Sequence, residues 1–283
     1  MAVPSGSVSG RVQKVQMRTK LGYDGVMPSE EPSSTVHAEA ASAYSPNPIV
    51  RARQRLIVAL DVPDARSAMR LVAELEGTCN WFKVGLELFV AEGPAVLEPI
   101  IRRGHNVFLD LKLHDIPNTG AGAVKSAAGL GVRMLTVHAS GGPAMLQAAK
   151  AALAGTAHPP ELLAVTVLTS TDGGQLRATG VDRAPAAQVE VLARMGSEAG
   201  IRGFVCSPQE VAALRTLTGP EALLVVPGIR PAGAAIGDQK RVAGPAETLR
   251  LGASYLVVGR PVTQAANRAE AAGAILEEMA EAL

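Results

Sequence analysis

Short apolar runs alternate with amphipathic stretches along most of the chain, from about residue 54 onwards. The first run, LIVALD at 56–61, has the length and the β-branched content of a buried strand. The stretch DARSAMRLVAELEG at 64–77 repeats Leu, Val and Ala at the spacing of a helix and ends in glycine. Seven further strand-like runs are NWFKVG (80–85), VFLDLK (107–112), RMLTVH (133–138), LLAVTVL (162–168), RGFVCS (202–207), LLVVPG (223–228) and SYLVVG (254–259).

Eight apolar runs separated by helix-length segments indicate parallel strands with right-handed crossovers. The pattern therefore predicts an α/β protein with a single (β/α)8 TIM barrel. A doubly wound sheet is the alternative, but no Gly-x-Gly-x-x-Gly follows the first run, so we rank it second.

Residues 1–50 differ from the rest, because Ser, Pro, Ala and Gly dominate them and no apolar periodicity recurs. We predict a disordered N-terminal extension over 1–50, with a targeting or partner-binding segment as the alternative, and a barrel domain over 51–283.

Charge and cysteine content narrow the function classes. Lys and Arg number 27 against 26 Asp and Glu, so no global field attracts nucleic acid or a membrane surface. No apolar run approaches the length of about 20 residues that spans a bilayer. Cys79 and Cys206 lie far apart, without histidines at metal-ligand spacing. We expect a cytoplasmic protein with no nucleic-acid partner, no membrane partner and no metal site.

The ends of the first three predicted strands carry charged residues. Asp61 ends the first, Lys83 lies near the end of the second, the third gives Asp110 and Lys112, and Asp115 follows in the loop. Active sites of these barrels lie at the carboxyl ends of the strands. Ordinary strand-end salt bridges would explain one pair. Alternating charges on three consecutive strands favour a catalytic site, because desolvated charges are costly unless they are paired.

A phosphate site is predicted after the last two strands, where the loops read VPGIRP and VVGRPV and the second provides Gly259 and Arg260. Arg230 in the first loop is expected to support the segment that follows it or to contact the substrate. The loops after strands seven and eight of such barrels often bind phosphate. Glycine lets the backbone approach an anion, and arginine binds phosphate with two parallel hydrogen bonds. An ordinary Gly-Pro strand exit is the alternative for either loop taken alone.

The segment LDLKLHDIPNT at 109–119 resembles the signature of the orotidine 5'-phosphate decarboxylase family, Asp-x-Lys-x-x-Asp followed by Ile-Pro-x-Thr. The resemblance covers essentially residues 55–270. Other blocks that resemble the family in the same order are ALDV (59–62), FKVGLELF (82–89), VHASGG (137–142), VTVLTS (165–170), VPGIRP (226–231), DQKRV (238–242) and VVGRPV (257–262).

The resemblance implies decarboxylation of orotidine 5'-phosphate to UMP and CO2 without a cofactor or metal. Loss of CO2 leaves an electron pair on C6 in an orbital that the ring cannot delocalise. Lys112 would stabilise this carbanion and protonate it. Asp110 and Asp115 would hold the ammonium in place, and Lys83 would complete the charged array.

The resemblance also implies substrate contacts. Asp61 and Lys83 would hold the ribose hydroxyls, Thr169 would contact the pyrimidine edge, and Gln239 would contact the phosphate from a lid. Asp115, Ile116 and Thr119 would reach the active site of a second subunit, which makes a homodimer with shared sites the expected assembly.

Two other functions fit part of the pattern. Mg²⁺-dependent phosphosugar lyases, of the hexulose-phosphate synthase or ketogulonate-phosphate decarboxylase type, share the barrel and the charged motif. The Ile-Pro-x-Thr continuation and DQKRV argue against them. A non-catalytic sensor of pyrimidine nucleotides is disfavoured because Lys112 and both flanking aspartates are present.

Overall fold

A closed parallel β-barrel forms the centre of the protein. The computed structural model describes residues 47–231 and 241–283. Within these ranges eight strands pair in chain order, and β8 pairs with β1 to close the barrel. The strands are β1 Leu56–Ala59, β2 Trp81–Gly85, β3 Asn106–Leu113, β4 Met134–His138, β5 Glu161–Val165, β6 Gly203–Val205, β7 Leu223–Val226 and β8 Tyr255–Val258. The predicted barrel is confirmed.

Helices connect the strands on the outside of the barrel. The α-helices of the described ranges are α1 Pro48–Arg53, α2 Ala65–Glu74, α3 Leu86–Glu92, α4 Leu97–Arg102, α5 Pro117–Ala128, α6 Gly142–Ala151, α7 Gly173–Ala178, α8 Pro185–Glu198, α9 Val211–Thr218, α10 Pro245–Arg250, α11 Arg260–Thr263 and α12 Arg268–Ala280. Short 3-10 turns lie at Gly93–Val96, Ala139–Gly141 and Pro208–Glu210. None of the helices in these ranges is long and apolar enough to cross a membrane.

Local sequence explains where helices begin. Asp64 caps α2, because its Oδ1 accepts a 2.7 Å hydrogen bond from the Ser67 N–H, which has no partner within the helix. The apolar residues Ala68, Leu71 and Val72 then fall on one face of α2 and are buried. The predicted helix therefore forms with its apolar stripe against the barrel.

Several predicted strands end earlier than their apolar runs. Strand β5 stops at Val165, although its run continues to Leu168, and β8 stops one residue before Gly259. Thr166 and Val167 are still buried, whereas Leu168 is 40% exposed, and all three belong to the loop at the mouth of the barrel. The apolar run is therefore longer than β5, because the first two residues of the following loop are buried as well.

Alternate residues of the strands pack into two separate cores. Ile57, Phe108, Met134, Leu163 and Val225 belong to a small cluster inside the barrel. Their strand neighbours pack with the helices in a much larger outer cluster. Since side chains alternate across a strand, residues that continue the inner row reach the barrel mouth.

The first described helix, α1, packs against the last helix, α12. Asn47 caps α1, and Pro48 takes its first position, where the missing N–H costs nothing. The boundary predicted at residue 50 falls inside this helix. Residues 1–46 lie outside the described ranges, so the predicted disorder of the N-terminal extension stays a prediction.

Strands β5 and β6 approach so closely that one position requires glycine. A Cβ on Gly203 would lie 2.3 Å from Leu163 Cδ2 and 2.9 Å from the Leu162 carbonyl oxygen. We therefore expect Gly203→Ala to lower the free energy of unfolding by roughly 1–3 kcal/mol, the usual cost of overpacking. Urea unfolding followed by circular dichroism measures this change.

Gly273→Ala is the matched control for this prediction. A Cβ there meets nothing within 4 Å, and the position is inside α12. Alanine at position 273 should raise stability by up to about 1 kcal/mol through helix propensity. Equal unfolding midpoints for the two variants would contradict the close approach of β5 and β6.

Candidate active site

Four alternating charges from the first three strand ends form one connected network. Lys83 Nζ in β2 donates a 2.8 Å hydrogen bond to Asp61 Oδ1, just after β1. The same nitrogen lies 3.7 Å from Asp110 Oδ2 in β3, which also accepts a 2.7 Å hydrogen bond from Lys112 Nζ. The side chains of Lys83 and Asp110 are each only 11% exposed. Each buried charge is thus compensated by an opposite charge, as burial of ions requires.

An irregularity in β3 turns Lys112 out of the regular ladder. Leu109 pairs with Leu135, but Leu113 pairs with Val137, so β3 contains extra residues between these points. Lys112 lies in this bulge with φ of 50°, the one positive φ found on a non-glycine residue in the described ranges. Such a backbone costs on the order of 1–3 kcal/mol and persists only where surrounding contacts impose it.

Thr136 in β4 connects the bulge to the charged network. Its Oγ1 accepts a 2.8 Å hydrogen bond from the Lys112 backbone N–H and donates a 3.0 Å hydrogen bond to Asp110 Oδ1. Thr136 is completely buried, on the inner side of β4 together with Met134. One hydroxyl therefore fixes both the backbone of Lys112 and the carboxylate that binds its ammonium.

A cavity of about 190 Å³ lies beside this network at the barrel mouth. Three members of the network line it, together with Thr169 and Ser170 from the loop after β5. Its apolar lining includes Val165, Val205 and Val257. A mainly apolar pocket with a few convergent polar groups is typical of sites that bind a small organic molecule.

A second pocket, of about 290 Å³, shares Lys83 with the first. Asp61 lines it, and so do Arg230, Gly259 and Arg260 from the loops after β7 and β8. The structure thus brings the predicted phosphate residues next to the predicted ribose residues. Two arginines in one pocket provide the positive charge that an anionic group requires.

Gly85 at the end of β2 leaves room for the Lys83–Asp61 ion pair. A Cβ at this position would lie 2.9 Å from Lys83 Nζ and 3.2 Å from Asp61 Oδ1. Any larger residue would displace the ammonium from the carboxylate. Gly259, by comparison, would accept a Cβ at ordinary distances of 3.7 Å and more from the protein's own atoms.

A buried ion pair lies behind the cavity. Arg241 Nη1 pairs with Glu210 Oε1, and both side chains are at most 10% exposed. Ser207 donates to Glu210 Oε2 through its backbone N–H, at 2.8 Å, and through its hydroxyl. The carboxylate thus has partners on both oxygens, as a buried charge requires.

Arg241 also holds the loop that carries Thr169. Its Nη2 donates hydrogen bonds of 3.2 Å to the Val167 carbonyl and 2.9 Å to the Leu168 carbonyl. These residues directly precede Thr169 and line the cavity with it. The guanidinium therefore attaches the loop after β5 to the 3-10 turn that follows β6.

The thiol of Cys206 lines the cavity but is unsuited to nucleophilic attack. Burial raises its pKa far above the ordinary value, and the Glu210 carboxylate raises it further. The thiol consequently stays protonated, and only the thiolate is an effective nucleophile.

His138, at the end of β4, lies close to Lys112. Burial lowers the pKa of His138, the charges of His114 and Lys112 lower it further, and Asp110 opposes them. The two imidazole rings are 5.7 Å apart between centroids. His138 therefore stays neutral at pH 7 and adds no positive charge to the site.

The residues predicted to act across subunits lie on the outside of the single chain. Asp115, Ile116 and Thr119 are exposed, and Asp115 Oδ1 accepts a 2.7 Å hydrogen bond from the Ile116 N–H. Within the described residues, Asp115 forms no ion pair with Lys112. Gln239, predicted to contact phosphate, lies outside the described residues.

Sequence reasoning missed several residues that shape the site. In the sequence Gly85 marks only the end of an apolar run, although its place two residues after Lys83 is a usable signal. Arg241 was visible in DQKRV, where only Gln239 received a role. Thr136 gave no signal, because its partner Asp110 lies 26 residues away in sequence. Ser207 and Glu210 have the spacing of a helix capping box, but the pairing of Glu210 with Arg241, 31 residues away, gave no signal.

Comparison with known proteins identifies a family for nearly all of the barrel. Residues 54–275 match the family model described as "Orotidine 5'-phosphate decarboxylase / HUMPS family".

Individual relatives agree with this match. The chain is 51% identical over 236 residues to the orotidine 5'-phosphate decarboxylase of Moorella thermoacetica, covering 81% of this chain and 94% of the relative. It is 53% identical over 222 residues to that of Anaeromyxobacter sp. (strain K), covering 78% and 96%. The crystal structure of orotidine 5'-phosphate decarboxylase from Lactobacillus acidophilus superposes with a TM-score of 0.70 at 38% identity, covering 80% and 98%.

The buried ion pair predicts a large stability difference between two glutamates. Glu210→Gln should lower the free energy of unfolding by about 3–5 kcal/mol, because Arg241 is left as an uncompensated buried charge. Glu190→Gln is the control, since its pair with Arg194 spans 4.0 Å and both side chains are about half exposed. That change should cost less than about 0.5 kcal/mol. Similar urea midpoints for both variants would contradict the role given to Glu210.

Proposed function

The chain belongs to the orotidine 5'-phosphate decarboxylase family and decarboxylates orotidine 5'-phosphate to UMP and CO2, and we propose that Lys112 within the charged network performs this reaction. The reaction is the last step of de novo pyrimidine nucleotide biosynthesis. The observation that carries the proposal is the Lys112 ammonium, which lines the cavity and is held 2.7 Å from Asp110.

The chemistry explains why a fixed ammonium group is needed. Loss of CO2 from C6 leaves an electron pair in the plane of the pyrimidine ring, where the π system cannot accept it. A cation about 3 Å from this carbon would stabilise the carbanion by on the order of 5–6 kcal/mol at an effective dielectric constant near 20. Lys112 provides this cation, and it also carries the proton that completes UMP.

Asp110 has a positioning role and an electrostatic role in this proposal. Its Oδ2 accepts from Lys112 and its Oδ1 accepts from Thr136, so the carboxylate is held in one orientation. The carboxylate keeps Lys112 in place before the reaction, which avoids reorganisation at the transition state. Repulsion between Asp110 and the substrate carboxylate is a secondary contribution.

The two adjoining pockets suit the two halves of the nucleotide. The cavity of about 190 Å³ takes the pyrimidine, with Thr169 and Ser170 contacting its polar edge. Asp61 and Lys83 bind the ribose hydroxyls where the pockets meet. With the pyrimidine in this cavity and the ribose at the junction of the pockets, the reacting carbon would lie beside Lys112.

The phosphate is assigned to the pocket of about 290 Å³. Arg260 and Arg230 supply the positive charge, and Gly259 lets the backbone approach the phosphate oxygens. Gln239 is proposed to contact the phosphate as well.

A homodimer with shared active sites and a cytoplasmic location are part of the proposal. Exposed apolar side chains lie on the segments that follow β2 and β3: in α3 Val90 is 78% exposed and Leu86 51%, and Ile116, just before α5, is 68% exposed. Large exposed apolar residues on neighbouring elements support a protein interface. Burying this surface against a second copy would bring Asp115 and Thr119 towards the partner's substrate.

The first test of the proposal is a turnover assay that follows the absorbance of orotidine 5'-phosphate, with and without EDTA. Activity that survives EDTA distinguishes the proposed reaction from that of a Mg²⁺-dependent phosphosugar lyase. Lys112→Ala should lower kcat/KM by about 10⁴-fold, the kinetic equivalent of its electrostatic contribution. UMP affinity should change much less, since Lys112 acts mainly in the transition state.

Lys150→Ala is the control for this assay, because Lys150 is exposed on α6 away from the network. It should retain the kcat of the unchanged protein. If Lys112→Ala weakened UMP binding as much as it lowered kcat/KM, Lys112 would not have a role specific to the transition state.

A second test examines the shared site by mixing inactive subunits. Asp115→Asn and Lys112→Ala proteins should regain activity when they are unfolded and refolded together, because one site of each hybrid dimer has both residues intact. Statistical mixing of an isologous dimer gives up to about one quarter of full activity. A steady-state assay after confirmed hybrid formation measures the recovery.

A mixture of Lys112→Ala and Lys83→Ala proteins is the matched control. Both residues belong to the same subunit's network, since Lys83 and Lys112 bind the same Asp110 oxygen. No site in this hybrid contains both lysines, so activity should stay absent. Recovery in this control, or none in the first mixture, would contradict the proposed assembly.

A further inference from the structure

We infer that Thr136 is a positioning residue for the decarboxylation, because its hydroxyl sets the backbone of Lys112 and the carboxylate of Asp110 at the same time. This inference rests on the proposed role of Lys112. Thr136 itself is fully buried, so it acts through its two neighbours.

The bulge in β3 creates the need for such a residue. Between Leu109 and Leu113 the regular pairing with β4 is interrupted, so the Lys112 N–H has no ladder partner there. A buried N–H without an acceptor costs about as much as a lost hydrogen bond. The Thr136 hydroxyl replaces the missing carbonyl at 2.8 Å.

The hydrogen bond from Lys112 N–H to Thr136 also holds the backbone of Lys112 at its positive φ. A lysine at φ 50° has left the extended conformation of its strand, and an L-residue adopts this region only when contacts hold it there. Without the hydroxyl, the bulge is free to relax towards the extended strand. Relaxation would change where the Lys112 side chain begins, and hence where its ammonium lies.

The second hydrogen bond of Thr136 orients the other member of the pair. Asp110 uses Oδ1 for Thr136 and Oδ2 for Lys112 and Lys83. Removing the hydroxyl leaves Oδ1 buried without this donor and frees the carboxylate to rotate about its bond. A valine in place of Thr136 thus disturbs the ion pair from both ends without changing any charge.

The location of Thr136 predicts that its hydroxyl affects kcat more than KM. Phosphate and ribose contacts are assigned to other residues, in the pocket formed after β1, β7 and β8. Loss of the Thr136 hydroxyl should therefore lower kcat and leave KM and UMP affinity nearly unchanged. General destabilisation of the barrel would instead reduce the folded fraction and leave the kcat of each folded molecule intact.

The experiment compares Thr136→Val with Thr136→Ser in the full-length protein. Valine keeps the volume but removes the hydroxyl, and the loss of hydrogen bonds to charged or backbone groups should lower kcat by roughly 10- to 100-fold. Serine keeps the hydroxyl and should restore kcat to within about threefold of the unchanged protein. Titration with UMP measures the concentration of folded active sites in each preparation.

Thr248→Val is the matched control. Thr248 is also fully buried, and its Oγ1 donates a 2.7 Å hydrogen bond to the Gly244 carbonyl at the start of α10. This variant loses one buried hydroxyl that stabilises the start of a helix and does not bind Lys112 or Asp110. It should therefore lower the free energy of unfolding but retain kcat per folded site. If Thr136→Val fails to fold, Thr136→Ala, which removes the hydroxyl together with the γ-methyl group, replaces it in the comparison.

Each outcome decides the inference. A reduced kcat with unchanged UMP affinity, restored by serine, supports it. A valine or alanine variant with full kcat overturns it, and so does a serine variant as slow as valine, or an equal loss of kcat in Thr248→Val. Failure of the proposed function is separate, since in that case the unchanged protein itself does not consume orotidine 5'-phosphate.

Discussion

Two ammonium groups and one hydroxyl converge on the carboxylate of Asp110, and the rest of the site depends on this arrangement. Oδ2 is shared by Lys112 at 2.7 Å and Lys83 at 3.7 Å, while Oδ1 accepts from Thr136. The carboxylate is almost completely buried, so it would be unstable without these partners. The interactions that make its burial tolerable are the same ones that fix the ammonium of Lys112. Stability of the site and the chemistry proposed for it therefore have a common physical cause.

The barrel makes this convergence possible because it brings the carboxyl ends of neighbouring strands together. Inward-facing side chains fill the lumen below, with Phe108 and Met134 directly preceding the polar residues of the same rows. The charges consequently rest on a packed apolar layer that excludes water from one side. Above it, the pair of Arg241 and Glu210 attaches the loop after β5 to the rest of the mouth. A rigid support of this kind is what electrostatic stabilisation of a transition state requires.

Periodicity in the sequence was sufficient to predict the strands and the closed barrel, because buried parallel strands leave continuous apolar runs. The charged strand ends predicted where the site lies, since Asp61, Lys83, Asp110 and Lys112 interrupt apolar runs at the mouth. The roles of Thr136 and Glu210 could not be predicted. A buried threonine suits a β-strand whether or not its hydroxyl has a partner, and Glu210 resembles any polar residue at the start of a helix. Their functions depend on register between elements that local pattern does not encode.

The amino-acid sequence by itself determined the fold, the family and the list of ionisable groups, because these depend on burial pattern and on residue type at each strand end. Tertiary structure decided how those groups act on one another. The bulge in β3, the positive φ of Lys112 and the room left by Gly85 arise only when neighbouring strands pair. Distances of a few ångströms between charges set their interaction energies, and such distances follow from packing in three dimensions and not from spacing along the chain.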